Sequence, residues 1–548
     1  IFVLNQINSM SQQGYVPKDL TFENEGRELL ISGISKISKA VKSTLGPRGR
    51  TVLIESPDHL GGLTVTKDGV TVAQSIFLDH PIENLAIKMM KEAANQTAST
   101  AGDGTTTAIV LTEALVLEGK KLLLPEHNIT EVIKYINIHT QRVVKYLKKK
   151  SKKVNASRLK DVATISANND KEIGAIIAEA YKKVGTNGIV TVEKSMNHET
   201  YAEVTKGIKI DRGYTSNLFL NNQRKDECIL EDVLVLVCDQ EISNILQIEN
   251  VLKPIIQQNK KLLIIAPCSA NVINTLAANV VRNNLKICNI IPPQFGYKSN
   301  ELMQDIAFST GAKYFSEKTG DDLSQIQIDD LGHVNKIIVG KTSSVLIKDE
   351  KDLAYNNNLQ DRIDELKVQQ KNITNKSERD FVNERIASLA GSIGCIYVGA
   401  NSDIEQKEKF DRVDDSVCAV RSALEEGIIT GGGLALYRES FWLNSYDKTK
   451  DINEDVALHI LHNTLQAPLR QIIINAGAPV KEIEDKITQV FTDENNGYDV
   501  KNEVIGDMYD MGIIDPLKVT KNALINAVSV ATTILSTNAI VTHARVKQ

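Results

Sequence analysis

The spacing of apolar residues changes twice along this chain, and that double change limits the folds open to it more than any single motif. From Glu23 to Val41 apolar side chains recur at Leu29, Leu30, Ile34, Ile37 and Val41, the spacing of a helix with one buried face, and Gly46-Pro47 stops it. Residues 51–54 and 63–66 read as short strands around Gly61-Gly62, with Lys67-Asp68-Gly69 as a turn, and helical spacing dominates from Glu83 to Leu147. Between 188 and 345 short β-branched runs take over, among them Ile189-Val190-Thr191-Val192, Val233-Leu234-Val235-Leu236-Val237 and Leu262-Leu263-Ile264-Ile265. Residues 357–390 return to helical spacing through Leu359, Ile363 and Leu366, break at Asn372-Ile373-Thr374-Asn375 and resume to Leu389, which predicts a helical hairpin. From Glu425 onward the chain is helical again, punctuated by Gly431-Gly432-Gly433. The order helical, mixed, helical predicts an α/β domain inserted into a helical one. A chain of 548 residues is too long for one core, so about two to four domains are expected.

Composition narrows the function. With 42% hydrophobic and 24% charged residues, the chain has an ordinary globular composition. A net charge of −5 supplies no electrostatic footprint for nucleic acid, and Lys148, Lys149, Lys150, Lys152 and Lys153 read as a solvated helix end. Six widely spaced cysteines form no CxxC pair and the histidines no HExxH, which argues against zinc and disulfide scaffolds and for a reducing, cytoplasmic setting. Ile1-Phe2-Val3-Leu4 is too short for a signal segment, and no run approaches the roughly 18 apolar residues of a membrane span. Neither nucleic acid nor membrane is therefore expected as a partner. The lack of Met at position 1, ahead of Met10-Ser11, marks residues 1–9 as a candidate extension.

The densest local chemistry lies in Ala101-Gly102-Asp103-Gly104-Thr105-Thr106-Thr107-Ala108. Its glycines let the backbone approach an anion, the N–H groups and dipole of a helix start favour negative charge, and Asp103 offers a hard oxygen suited to Mg2+. A plainer reading is a helix cap, with Asp103 or Thr105 capping the helix that continues through Ala108, Leu111 and Leu115. The residues alone leave both open.

Four glycine-bearing turns recur in the helical flanks: Thr44-Leu45-Gly46-Pro47, Lys67-Asp68-Gly69-Val70, Gly102 to Thr107, and Gly431-Gly432-Gly433. In this order, and with Thr164-Ile165-Ser166-Ala167-Asn168, Asp211-Arg212-Gly213-Tyr214, Arg412-Val413-Asp414-Asp415, Ala467-Pro468-Leu469-Arg470-Gln471 and Asp510 to Pro516, the chain resembles a group I chaperonin of the GroEL type from Lys18 to Thr542. The resemblance implies a multi-domain fold: an all-α equatorial ATP-binding domain (1–149 and 426–548), a small α+β intermediate hinge domain (150–205 and 394–425), and an inserted α/β apical polypeptide-binding domain (206–393). It implies an ATPase whose cycle drives protein folding, with ATP and Mg2+ as cofactors and K+ as a candidate second cation. By resemblance Thr44, Leu45, Gly46 and Pro47, with Asp103, Gly104, Thr105, Thr106 and Thr107, wrap the phosphates, and Asp103 is the Mg2+ ligand. Lys67 and Asp68 fall near the γ-phosphate, Gly432 and Asp515 at the ribose, Ile165 and Ile513 at the adenine. Asp415 is implied as the catalytic carboxylate, with Asp68 as its companion; the plainer readings are a surface acid beside Asp414 and a turn-shaping residue. Asp499-Val500-Lys501 departs from the family, which commonly has asparagine and two alanines beside the base.

The same resemblance implies that Tyr214, Leu218, Phe219, Leu252 and Ile273 line an exposed apolar surface that grips non-native polypeptides. For Leu252 and Ile273 the alternative is ordinary α/β core. Glu249 stands where the family has leucine and Ala277-Ala278 where it has paired valines. Each lost methylene forfeits about 0.8 kcal/mol of burial, so weaker or more selective capture is expected. Arg212 and Asp403 match positions that join neighbouring subunits, which implies a homo-oligomeric ring, sevenfold in this family, with a GroES-like co-chaperonin as a further candidate partner. Arg470 is kept, but the acid associated with ring-to-ring contact falls within the uncharged Ala478-Pro479, so single and double rings both stay open. Gly391-Ser392 replaces a glycine pair at the apical hinge, Gly207 remains on the other hinge strand, and Val546-Lys547-Gln548 carries no glycine-methionine tail. Two rivals stand beside this reading, an ATP-independent holdase and a scaffold or toxin-like secreted form. Intact Asp68, Asp103 and Asp415 argue against the first, and the missing signal segment against the second.

Overall fold

The computed structural model describes residues 18–543 apart from 56–62, 186–188, 196, 224–225, 295, 349–352, 373–375, 390–391, 445–450 and 491–492. The readings on residues 1–9, Gly61-Gly62, Gly391 and the chain end at Gln548 lie outside the described residues. The chain forms two compact units, Ile1–Ala178 with Lys194–Thr200 and Val398–Gln548, and Glu179–Glu193 with Tyr201–Tyr397.

In the first unit the helical periods become real helices, with Glu23–Lys42, Pro81–Ala101 and Thr105–Leu122 from the early chain and Ile452–Asn475 and Leu517–Ser536 from the late chain. Thr105–Leu122 packs against the other four, so both ends of the sequence share one core. That core holds Ile34, Ile37, Ile87, Ile109, Leu111 and Leu115 from one end, and Ile460, Leu461, Leu524 and Ala527 from the other. Four two-stranded ribbons accompany these helices. The ribbon of Lys18–Phe22 with Ala539–His543 joins the two ends of the described chain, antiparallel from Lys18 opposite His543 to Phe22 opposite Ala539. Val52–Glu55 pairs with Leu63–Thr66, which places strands close to those read at 51–54 and 63–66. A smaller core around Leu434, Tyr437, Leu469, Ile473 and Met508 supports the late glycine turns.

The second unit is built on a nine-stranded mixed sheet. Cys228–Cys238, Lys261–Ile265 and Ile287–Ile290 run parallel, and Leu262, Leu263, Ile264 and Ile265 are all buried, as an uninterrupted apolar run covered on both faces requires. The helical hairpin forms as Leu353–Asn372 and Lys376–Leu389. Arg385 fastens it: the residue is 2% exposed, and its guanidinium donates to both oxygens of Asp305 at 2.6 and 2.9 Å, with Glu301 at 2.7 Å. A bidentate pair of this kind satisfies charges that would be costly to bury singly.

Burial corrects part of the expected gripping surface. Leu218 is 53% exposed, but Phe219 (2%) and Leu252 (6%) are core residues, and Tyr214 and Ile273 are partly buried. The single 3-10 turn Asn217–Phe219 sends its adjacent Leu218 and Phe219 in different directions, and the helix Glu249–Gln257 turns Leu252 inward with Val251 and Ile255. Ala277 is buried as well, so its small side chain fits a packed position rather than a trimmed surface.

Candidate functional site

The glycine turns converge on a cavity of about 670 Å3 in the first unit. Its lining contains Thr44, Leu45, Gly46 and Pro47, Lys67 and Asp68, Asp103 to Thr107, Ile165, Asp415, Gly432, Ile513 and Asp515. Residues as far apart in sequence as Thr44 and Thr520 therefore line one cavity.

Two left-handed glycines make the corner at its centre. Gly102 (φ 74°) ends the helix Pro81–Ala101 and Gly104 (φ 85°) starts Thr105–Leu122. A side chain at either position meets more than backbone strain, because an added Cβ would lie 2.3 Å from the Cys418 Cβ at Gly102 and 2.6 Å from Val519 Cγ1 at Gly104. The capping expectation for Asp103 and Thr105 is corrected here: Gly104 occupies the cap position and no side chain caps the helix. The physical reason is that Asp103 bends back on its own turn, its Oδ1 accepting from the Gly104 N–H at 2.5 Å while Oδ2 accepts from the Ser166 hydroxyl at 2.7 Å. The first-turn N–H groups of Thr105, Thr106 and Thr107, which no helical carbonyl can reach, belong to residues on the cavity wall.

Asp68 does cap a helix. It precedes Gly69–Ser75 and accepts from the Val70 N–H (3.1 Å), the Thr71 N–H (2.9 Å) and the Thr71 hydroxyl (2.6 Å). The plainer turn-shaping reading thus describes its local geometry, and Asp68 also lines the cavity. Asn475 steadies the first turn, donating to the Lys42 and Leu45 carbonyls at 2.8 Å each. Asp515 lies in the ribbon of Ile428–Thr430 with Ile514–Pro516, opposite Ile429. Asp415 rides on the long helix Asp403–Glu426, which packs against Ala156–Ser166.

Burial and a neighbouring carboxylate raise the proton affinity of two acids here, Asp103 and Asp515. Burial first, and then the charge of Asp68, push the Asp103 carboxyl up, against the pull of its Ser166 and Gly104 hydrogen bonds. Burial and the charge of Asp103 push Asp515 up to about 7, against the pull of the Gly432 backbone. Cavities that hold several carboxylates in this state suit a cationic or metal-bound ligand. Among the described residues no group of three or more His, Cys, Asp and Glu side chains gathers as a metal site. A set of one or two carboxylates is nevertheless what Mg2+ uses when phosphate oxygens and water complete its shell, so Asp103 fits that ion.

Sequence reasoning assigned no role to Ser166, Asn475 or the cavity residues Lys160, Asp161 and Asn168. Asn168 and Asn169 gave the one available signal, a pair of asparagines able to take the left-handed conformation (φ 57° and 65°) that ends the helix Ala156–Ser166. Arg412, which lines the cavity, pairs with Glu408 at 2.9 Å and with Asp170 at 3.4 Å. In the departing segment, Asp499 accepts from the Lys501 N–H (2.8 Å) and the Asn502 side-chain amide (2.6 Å), so its carboxylate is turned to its own loop.

The second unit carries a groove of about 430 Å3 lined by Leu218, Leu220, Val280, Val281 and Leu285, with Lys261 and Glu231 at its polar side. Among the described residues no helix is long and apolar enough to cross a membrane.

Comparison with known proteins agrees with this architecture. Two crystal forms of the chaperonin gp146 from the bacteriophage EL 2 (Pseudomonas aeruginosa), both in the presence of ATP-BeFx, share the fold: form II at 23% identity and a TM-score of 0.65, form I at 22% and 0.61, each covering 96% of this chain and 99% of the other. The family pattern of the TCP-1/cpn60 chaperonins matches residues 37–545. The chain belongs to the TCP-1/cpn60 chaperonin family.

Proposed function

We propose that this chaperonin is an ATP-dependent, ring-forming ATPase that binds non-native polypeptides and promotes their folding. The observation that carries the reading is the single cavity in which every candidate nucleotide residue meets. The phosphates are held at the uncapped start of Thr105–Leu122, where free N–H groups, three hydroxyls and the helix dipole favour negative charge. Mg2+ supplies charge neutralisation on the phosphate oxygens, and Asp103 holds it; K+ is a candidate second cation. Lys67 and Asp68 serve the γ-phosphate, Gly432 and Asp515 the ribose, Ile165 and Ile513 the base. In hydrolysis a water oxygen bonds to the γ-phosphorus while the bond to the bridging oxygen breaks, its electron pair leaving with ADP. Asp415 orients that water and accepts its proton. Turnover switches the polypeptide surface between binding and releasing states.

We assign 1–149 and 426–548 to the equatorial domain, 150–205 and 394–425 to the intermediate domain, and 206–393 to the apical domain. Exposed Leu218 and Val281 beside the second groove support polypeptide binding there, with Tyr214 and Ile273 contributing at the margin. Six free cysteines support a reducing, cytoplasmic setting. The test is Mg2+-dependent ATP hydrolysis together with refolding of a denatured client. Asp415→Ala is expected to lower kcat by about 100-fold or more while nucleotide still binds. A protein that suppresses aggregation equally well without Asp415 is a holdase, and the proposal fails.

A further inference from the structure

Ser166 Oγ donates to Asp103 Oδ2 at 2.7 Å across 63 residues of sequence. Serine and threonine hydroxyls in helices usually bond back to the carbonyl four residues earlier, as Thr112, Thr464 and Thr532 do in this chain. The Ser166 hydroxyl instead leaves its helix. Asp103 stands between two left-handed glycines, so no neighbouring side chain restrains it. One donor on each oxygen, Gly104 N–H on Oδ1 and Ser166 on Oδ2, fixes the rotation of the carboxylate, and each oxygen keeps a further lone pair. Ser166 is itself fixed: it is the last residue of Ala156–Ser166, and the N–H groups of Ala167 and Asn169 close that end on the Ala163 and Thr164 carbonyls at 2.9 and 2.8 Å.

We propose that Ser166 is a positioning residue that holds the Asp103 carboxylate in one orientation toward a divalent cation bound with the nucleotide. The inference rests on the reading of Asp103 as the cation ligand. Partners that orient a ligating carboxylate typically contribute about 10- to 100-fold in metal affinity. The helix ending at Ser166 also packs against Asp403–Glu426, so the hydroxyl connects the turn that holds the cation with the layer that carries Asp415.

The experiment titrates Mn2+ into the full chain saturated with a non-hydrolysable ATP analogue and reads free Mn2+ by electron paramagnetic resonance. Ser166→Ala is expected to weaken Mn2+ binding by about 10-fold or more, Ser166→Thr to restore it by returning the hydroxyl, and analogue affinity in EDTA to stay unchanged in both. Wild-type Mn2+ affinity in Ser166→Ala, with affinity lost in Asp103→Asn, overturns the inference and leaves the ligand reading standing. Equal losses in Ser166→Ala and Ser166→Thr also overturn it, because the hydroxyl is then not the cause. Wild-type affinity in Asp103→Asn overturns the ligand reading itself.

Discussion

Asp515 shows how a single side chain acquires properties from its surroundings. Its pKa of about 7 lies well above the ordinary carboxylate value of 3.8 because burial and Asp103 disfavour the charged form. The folded chain therefore binds a proton that the unfolded chain releases, so this group's contribution to stability is complete below pH 3.8 and is lost as pH rises to about 7. Ligand binding has the opposite sign. On the proposed ribose role, only the ionised carboxylate accepts from both ribose hydroxyls, so nucleotide affinity is expected to rise by up to about tenfold between pH 6 and pH 8. Calorimetric titration across that range checks it; Asp515→Asn should bind more weakly with a flatter profile, and an unchanged slope would assign the titration elsewhere. At this scale the sequence was informative about chemistry and misleading about partners. Asp103 reads as a cap because Asp before a helical run usually is one, yet its oxygens go to Gly104 and to a serine far away in the sequence.

Among elements, the corner between Pro81–Ala101 and Thr105–Leu122 decides most about the site. Gly104 has a left-handed φ and faces Val519, whose branched side chain cannot swing aside at small cost. Gly477 shares the left-handed φ (73°) but has nothing within 4 Å of an added Cβ. Gly477→Ala is thus expected to cost about 1–2 kcal/mol from backbone strain, and Gly104→Ala distinctly more, with loss of nucleotide affinity only in the latter. Urea unfolding with parallel nucleotide titration measures both, and equal destabilisation would remove the packing argument. The helices and the hairpin at Leu353–Leu389 were legible because their apolar periods are local. The side on which Leu218 and Phe219 fall was not, since a 3-10 turn of three residues is too short to show a period.

For the whole molecule, two ribbons point to self-assembly. Two-stranded sheets are marginal alone, and both Lys18–Phe22 with Ala539–His543 and Val52–Glu55 with Leu63–Thr66 carry exposed apolar side chains: Leu20 (58%), Phe22 (55%), Val541 (55%), Leu53 (66%) and Leu63 (47%). We propose that strand edges of neighbouring copies meet there to close the ring. Arg470 is held by Glu484 at 2.5 Å within its own chain. Leu53→Asp is expected to shift sedimentation from ring to monomer with helix content unchanged; a ring that persists counts against the ribbons as the interface. The amino-acid sequence by itself determined where the chain is helical and where it is strand, and which glycine turns can face an anion, because periodicity and backbone freedom are properties of neighbouring residues. Only the tertiary structure decided that Phe219 and Leu252 are buried, that Arg385 closes on Asp305, and that Ser166 reaches Asp103. Those outcomes depend on packing between segments tens of residues apart, and no local pattern specifies which distant side chain will fill a given contact.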